Sequence, residues 1–403
     1  MEKSNKVYLL IMVAALGYFV DIYDLIVFNV VKNESLMALG FSGEALKHNE
    51  IYLFNMQMTG MLLGGIIWGI LGDKKGRVTV LFGSILMYSM ANIANAFVTT
   101  IDQYAALRLI AGLGLAGELG AGITLVSETM PTEKRGYGTM IIVTFGALGA
   151  VVASLVGQSF GWKATYIVGG CMGLALLLMR AGAFESGMFE SVKQDANIRK
   201  GNFISLFSNK QTLLKYLSCI GIGLPVWFVI GVLINLSNRF GESMGIEVKV
   251  ADSVMYSYLG LSVGDLFSGI FSQVLRSRKK VVLGYLIFSL LLTAVYLFNT
   301  NNNPVYFKAL CFLLGAATGY WALFVTIASE QFGTNIRSTV TNTVPNFVRG
   351  AVVPITLSFQ FLLPYFGLLY AALIVGIVCI TLAIISIMYV PETFSKDLNY
   401  HEE

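Results

Sequence analysis

Runs of roughly 20 apolar residues recur along the whole of this 403-residue chain, and no other feature restricts its fold as tightly. A helix rises about 1.5 Å per residue, so each run can cross about 30 Å of hydrocarbon with its backbone hydrogen bonds made internally. The strands of a membrane barrel would alternate polar and apolar at every second residue, and these runs do not. They lie at about 7–31, 51–72, 78–98, 103–128, 137–159 and 163–183, then at about 212–237, 252–275, 281–298, 305–329, 338–363 and 367–390. The expectation is an all-α integral membrane protein of twelve transmembrane helices. Composition agrees: 56% of residues are apolar and only 12% charged, against roughly a quarter charged in soluble domains.

One long polar interval, "ESGMFESVKQDANIRKGNFISLFSNKQ" from Glu185 to Gln211, separates six runs from six. The expected organisation is therefore an N-terminal bundle over 1–184, a linker over 185–211, a C-terminal bundle over 212–390 and a tail over 391–403. The first run is too long for a cleaved signal and lacks a small-residue cleavage site. Lys3, Lys6, Lys74, Lys75, Arg77, Lys134, Arg135, Arg276, Arg278, Lys279, Lys280, Arg337, Lys396 and the linker basics fall on the side of the termini. Lys32, Lys47, Lys163, Arg239, Lys249 and Lys308 fall on the other. That asymmetry predicts cytoplasmic termini in a bacterial-type inner (plasma) membrane. The net charge of +4 thus reflects topology, and without a basic helix interleaved with aromatics no nucleic-acid partner is expected.

Several activities are excluded. Cys171, Cys219, Cys311 and Cys379 sit singly in apolar runs, and the two histidines, His48 and His401, lie in a loop and the tail. No metal or cofactor is expected from such residues. There is no P-loop, dinucleotide fingerprint or GxSxG elbow, and the linker is too short for an ATPase domain. The partner that composition itself implies is the lipid bilayer.

Between the second and third runs stands "GILGDKKGRV", with Gly69, Asp73, Gly76 and Arg77 in the order glycine, three residues, aspartate, basic, any, glycine, arginine. "RLIAGLGLAGELGAGITLVSETMPTEKRG", Arg108 to Gly136, and the tail "PETFSKDL" add to it. The first resembles the signature loop of the major facilitator superfamily, with Val78 in place of a final basic residue. The second resembles a sugar-porter signature, with Ala116 in place of a glycine, and the tail is similar to the ending of sugar porters and related metabolite symporters. "SETMPTEKRG" returns across the linker as "SEQFGTNIRS", pairing Glu128 and Arg135 with Glu330 and Arg337. "GIFSQVLRSRKK" is a worn copy of the Gly69 loop, with Gln273 for the aspartate.

The resemblance implies two pseudo-symmetric six-helix bundles that rock about a midplane site, and a monomer. It implies that Asp73 holds the start of the eleventh helix near Arg337, an aspartate against a helix N-terminus. It makes Gly69, Asp73, Gly76, Arg77, Glu128, Arg135, Glu330 and Arg337 a gate, with a weaker second latch at Gln273.

Function rests on charges inside the membrane, each costing about 2.5–3.5 kcal/mol at a helix centre. In "VDIYDLIVF" Asp21 and Asp24 share a helix face, and Arg108 on the fourth helix lies at about the depth of Asp24, roughly 10 Å from the outer end. Asp24 stands where the proton-coupled sugar porters carry an acid opposite an arginine, which implies proton coupling; a static pair, or Asp21 as the titrating acid, is the alternative. Glu118, in "GELGAG", resembles an element of proline/betaine and niacin symporters and is a candidate for substrate contact, for carrying the proton, or for a structural hydrogen bond. Asp265 has no evident partner. In "PNFVRG", Asn346 and Arg349 lie about 18 Å from the inner face; Arg349 could fork onto a substrate carboxylate or neutralise Asp265 or Glu118. Asn55, Gln57, Trp227, Tyr320 and Trp321 complete a candidate cavity for a small polar ligand.

The fifth helix reads "FGALGAVVASLVG", without the proline of drug and proton antiporters. The expected function is therefore proton-coupled uptake of a small polar metabolite such as an amino acid, organic acid, sugar or vitamin. The alternatives are a proton-coupled exporter of a drug, siderophore or polar lipid, and a non-transporting nutrient sensor on the same fold.

Overall fold

A computed structural model describes residues 2–131, 135–180 and 201–402. Lys134, the end of the sixth run and most of the expected linker lie outside the described residues.

Among the described residues ten helical stretches are long and apolar enough to span a membrane. Two of them turn at a glycine. Arg135–Met179 breaks at Gly161, φ 75°, and Val352–Tyr389 breaks at Gly367, φ 71°; both are left-handed backbone positions that a Cβ would strain. Each of these stretches supplies two crossings, so the described residues make twelve crossings, and Glu2 and the described tail lie toward one face, here called the tail face.

The first three crossings are Glu2–Ala38, Gly43–Lys75 and Arg77–Asn95. The fourth is broken, Ile101–Leu115 resuming as Glu118–Thr129, and the fifth and sixth meet at Gly161. The seventh, Lys210–Phe228, runs into a π-helical turn over Val229–Ile234. Pro225 lies just before that turn and lacks the N–H that a regular ladder needs there. The eighth and ninth are Val250–Val274 and Arg278–Leu297. The tenth is broken like the fourth, Pro304–Ala317 resuming as Trp321–Gln331. The eleventh begins with Arg337–Gly350 and continues into Val352–Tyr389, which also forms the twelfth.

The apolar pattern predicts unbroken fourth and tenth crossings, and the structure interrupts both. The breaks have a physical consequence, because each frees backbone N–H groups in the middle of the membrane. Asp265 of the eighth crossing accepts the Ala322 N–H at 2.9 Å at the tenth-crossing break, which is the partner its sequence does not reveal. It acts as a helix cap.

The second crossing packs on the eleventh and the fifth on the eighth, a pseudo-symmetric pair of contacts that joins the two bundles. Polar bonds cross the same seam: Thr124 to Thr341 at 2.5 Å, Thr326 to Thr139 at 2.9 Å and Asn346 Nδ2 to the Ala116 carbonyl at 3.0 Å. All three tie the halves between the tail face and the middle of the molecule.

Candidate functional site: a throat between the bundles and the gate beneath it

Where the halves meet, Tyr18 and Ile22 of the first crossing, Trp227 of the seventh, Tyr258 of the eighth, Trp321 of the tenth and Arg349 of the eleventh surround a cavity of about 20 Å3. That is room for about one water. Arg349 is the charge that organises it. Its Nη2 lies 3.7 Å from Asp21 Oδ2 and 3.5 Å from the Tyr18 hydroxyl, and its Nη1 donates to Asn346 Oδ1 at 3.3 Å. The guanidinium lies 5.9 Å from the Trp321 ring centroid, and Trp321 Nε1 donates to Tyr18 at 3.1 Å.

Asp21 and Tyr18 belong to one half and Arg349, Asn346 and Trp321 to the other. The ion pair is fully buried, yet neither Asp21 oxygen nor Arg349 Nε has a hydrogen-bond partner among the described residues. A buried charge pair is held well only when its remaining polar atoms are also satisfied. This one is close enough to attract and too loosely bonded to lock.

A second polar cluster lies inside the N-terminal bundle. Asp24 and Arg108 are both fully buried, but no hydrogen-bonded pair joins them among the described residues. Arg108 Nη2 donates to Asn92 Oδ1 at 2.6 Å, and its guanidinium sits 4.9 Å from the Tyr166 ring centroid. Asn92 and Arg108 face Asp24, whose oxygens have no hydrogen-bond partner among the described residues. Helix rotation turns the guanidinium onto the amide and the ring.

Glu118 has a partner that the sequence reading misses. Arg180, at the end of the sixth crossing, donates Nη1 to Glu118 Oε2 at 3.0 Å, pairs its Nη2 with Oε1, and reaches the Val13 carbonyl at 3.2 Å. Its place just short of the run's end makes it look like a boundary residue. The side chain is only 1% exposed, so the inward charges include a third base.

The residues that the resemblance implies as a gate lie at the tail face. Asp73 Oδ1 accepts the Ser338 N–H at 3.0 Å, and Oδ2 accepts the Thr339 N–H at 2.8 Å and the Thr339 hydroxyl at 2.7 Å. One carboxylate thereby caps the first turn of Arg337–Gly350 from across the seam. Gly69 lets the second crossing approach Thr339, since a Cβ there would lie 2.8 Å from the Thr339 Cα. Gly76, φ 107°, makes the turn.

Below this latch Glu128 Oε1 is shared by Arg77 of its own half, at 2.9 Å, and Arg337 of the other, at 3.0 Å. The counterpart is Glu330, 3.1 Å from Arg278 and 3.9 Å from Arg135. Arg135 Nε donates to the Ser127 carbonyl and Arg337 Nε to the Ser329 carbonyl, at 3.0 and 3.1 Å, so the motif repeat is also a repeat in space. At the worn copy, Gln273 packs against Gly136, and its Nε2 has no partner among the described residues.

The tail is woven into this cluster. The Lys396 carbonyl accepts from Arg135 at 3.1 Å and the Leu398 carbonyl from Arg337 at 2.6 Å. Glu392 takes the Ser277 hydroxyl at 2.5 Å and the Arg278 N–H at 3.0 Å. Partial burial pushes the Glu392 carboxyl up, but these hydrogen bonds outweigh it and hold the group below its ordinary value.

Of the cavity residues named from sequence, Trp227, Trp321 and Arg349 line the throat and Asn346 orients Arg349. Tyr320 instead donates to the Ile222 carbonyl at 2.9 Å, tying the tenth crossing to the seventh. Gln57 is fully buried in its bundle, with neither amide atom bonded among the described residues. Asn55 lines a separate cavity nearer the far face. Tyr18 and Tyr258 are throat residues that the sequence reading does not name. Tyr18, one helical turn before Asp21, could be found by extending that face.

The family model described as "Major Facilitator Superfamily" matches residues 14–355. The chain is 38% identical over 123 residues to the niacin transporter NiaP of Acinetobacter baylyi, a match covering 30% of this chain and 28% of that one. It is 28% identical over 295 residues to the 3-(3-hydroxy-phenyl)propionate transporter of Escherichia coli, covering 72% and 71%. In fold it is similar to the proton:xylose symporter XylE, solved with 6-bromo-6-deoxy-D-glucose, with a TM-score of 0.77, 16% identity and 98% of each chain covered. With hydrogen bonds from Asp73 across the seam, a repeated arginine–glutamate cluster and a family model spanning most of the sequence, the chain belongs to the Major Facilitator Superfamily, and it is a transporter of small molecules, not an enzyme.

Proposed function

We propose that the protein takes up a small aromatic monocarboxylate together with a proton, across a bacterial-type plasma membrane with its tail face in the cytoplasm. The observation that carries this reading is Arg349, set among Tyr18, Trp227 and Trp321 and tethered only loosely to Asp21 across the seam. A guanidinium binds a carboxylate through a two-pronged geometry that Asp21 does not occupy here, and the flanking rings suit a flat apolar body. Two relatives carry the names of transporters for niacin and 3-(3-hydroxyphenyl)propionate, both of them aromatic monocarboxylic acids. The excess of basic residues at the tail face supports the orientation.

Coupling follows from competition for one cation. With Asp21 ionised, Arg349 is neutralised and a second carboxylate is repelled. When Asp21 takes a proton, Arg349 is left for the substrate, so proton and carboxylate load together. Discharging both restores the pair across the seam, and the halves can return. Glu118, held by Arg180, serves as a structural anchor in this scheme. Asp24, beside Arg108, is the competing candidate for the proton.

The test is uptake of labelled nicotinate and 3-(3-hydroxyphenyl)propionate into proteoliposomes with an imposed pH gradient. Asp21→Asn is expected to keep exchange and lose gradient-driven accumulation, and Arg349→Gln to lose both. If Asp21→Asn still accumulates substrate while Asp24→Asn does not, the proton sits on Asp24 and the competition scheme is wrong.

A further inference from the structure

A second cavity, of about 240 Å3, opens between the halves on the far-face side of the throat. It is the larger of the two spaces along this axis by an order of magnitude, and the throat below it holds no more than a water-sized volume. A molecule entering from the far face therefore meets a formed chamber before it meets Arg349.

The lining is chemically specific. Asn29 of the first crossing, Asn55 of the second, Asn235 after the seventh and Gln360 of the eleventh present four carboxamides from both halves. None of these carboxamides has a hydrogen-bond partner among the described residues. Such groups can both donate and accept. Two cations reach the same chamber: Lys32 is neutralised by Glu50, whereas Arg239 is exposed and has no ion pair among the described residues. Phe54 and the fully buried Phe359 supply an apolar wall.

We infer that this chamber is a distinct outer binding site for the aromatic carboxylate, where Arg239 takes the carboxylate, the carboxamides take its polar atoms and the phenyl wall takes the ring, before the throat opens. The inference rests on the aromatic-acid reading of the throat. Arg239 is an unpaired positive charge at the mouth of a partly enclosed cleft, the arrangement that concentrates an anion and speeds its arrival.

Initial uptake of nicotinate and of 3-(3-hydroxyphenyl)propionate by the full chain is measured for the wild type, Arg239→Gln, Arg239→Lys and Arg349→Gln, each at low and high salt. Arg239→Gln should raise KM by about three- to tenfold, leave the maximal rate unchanged and flatten the salt dependence of KM, with Arg239→Lys restoring part of each. An Arg239→Gln protein with wild-type KM and salt response overturns the outer site, and so does one in which the maximal rate falls while KM does not move. If Arg239→Gln is silent while Arg349→Gln abolishes uptake, only the outer site is lost. If the wild type transports neither probe, the aromatic-acid reading falls and the outer site with it.

Discussion

Replacing Asp73 by asparagine should transfer the protein from a gate closed on the tail face to one open there. Asp73 accepts three hydrogen bonds from Ser338 and Thr339, all made across the seam and all fully buried. Asparagine retains one acceptor oxygen. Its amide group would meet the Thr339 N–H donor to donor, and the charge that strengthens the remaining bonds disappears. Hydrogen bonds to a charged group are worth about 1.5–3 kcal/mol each and neutral ones about 0.5–1.5. Losing one or two bonds and weakening the rest removes about 3 kcal/mol from the closed state alone. At about 1.4 kcal/mol per decade this moves the equilibrium by about two orders of magnitude. Arg77 and Arg337 keep Glu128, so the bundles should still fold. The assay is alkylation by a membrane-impermeant maleimide of a cysteine at Thr356, which lines the outer chamber, in a background lacking the native cysteines. As the tail face opens the chamber should close, and the rate of labelling should fall by one to two orders of magnitude. An unchanged rate, with normal exchange, would refute the idea that this cap selects between the two states.

Two further outcomes follow from buried charge. Arg180→Ala strands Glu118 inside its bundle and should destabilise the protein by about 3–5 kcal/mol, read as a lowered Tm in detergent, whereas Glu118→Gln combined with Arg180→Met should recover much of it; equal losses in the single and double variants would rule out an ion-pair origin. At the tail, Glu392 has a folded value below its unfolded one, so its contribution is present above about pH 4.3, the ordinary glutamate value, and fades as pH falls through the lower folded value. Protection from hydrogen exchange at the start of Arg278–Leu297 and along the tail, taken relative to the intrinsic rate at each pH, should therefore fall under acid conditions in the wild type. Glu392→Gln should show that lower protection already at neutral pH, and wild-type protection in that variant at neutral pH would count against the tail contact.

Features that depend on near neighbours along the chain are legible in the sequence. Twelve crossings follow from run length, because a segment's transfer into hydrocarbon is decided within about 20 residues. The turn at Gly161 falls in the gap expected between two runs and the turn at Gly367 on the first residue of the twelfth run, while the Asp73 loop is a motif whose family resemblance implies its partner near Arg337. The breaks in the fourth and tenth crossings are not legible. Their apolar pattern continues unbroken through Ala116 and Gly319, and what stabilises the second break is Asp265, far away in sequence.

The pairing of the buried charges is the part that only tertiary structure decides. The sequence establishes that acids and bases must lie inside the membrane and roughly how deep each one sits. Depth is one coordinate along a helix; which partner a side chain meets also depends on how that helix is rotated and what packs against it. Rotation sets Arg349 beside Asp21 rather than Asp265 or Glu118, gives Glu118 to Arg180, and turns Arg108 toward Asn92. Those choices are made by side-chain packing between segments far apart along the chain, and no periodicity within it encodes them.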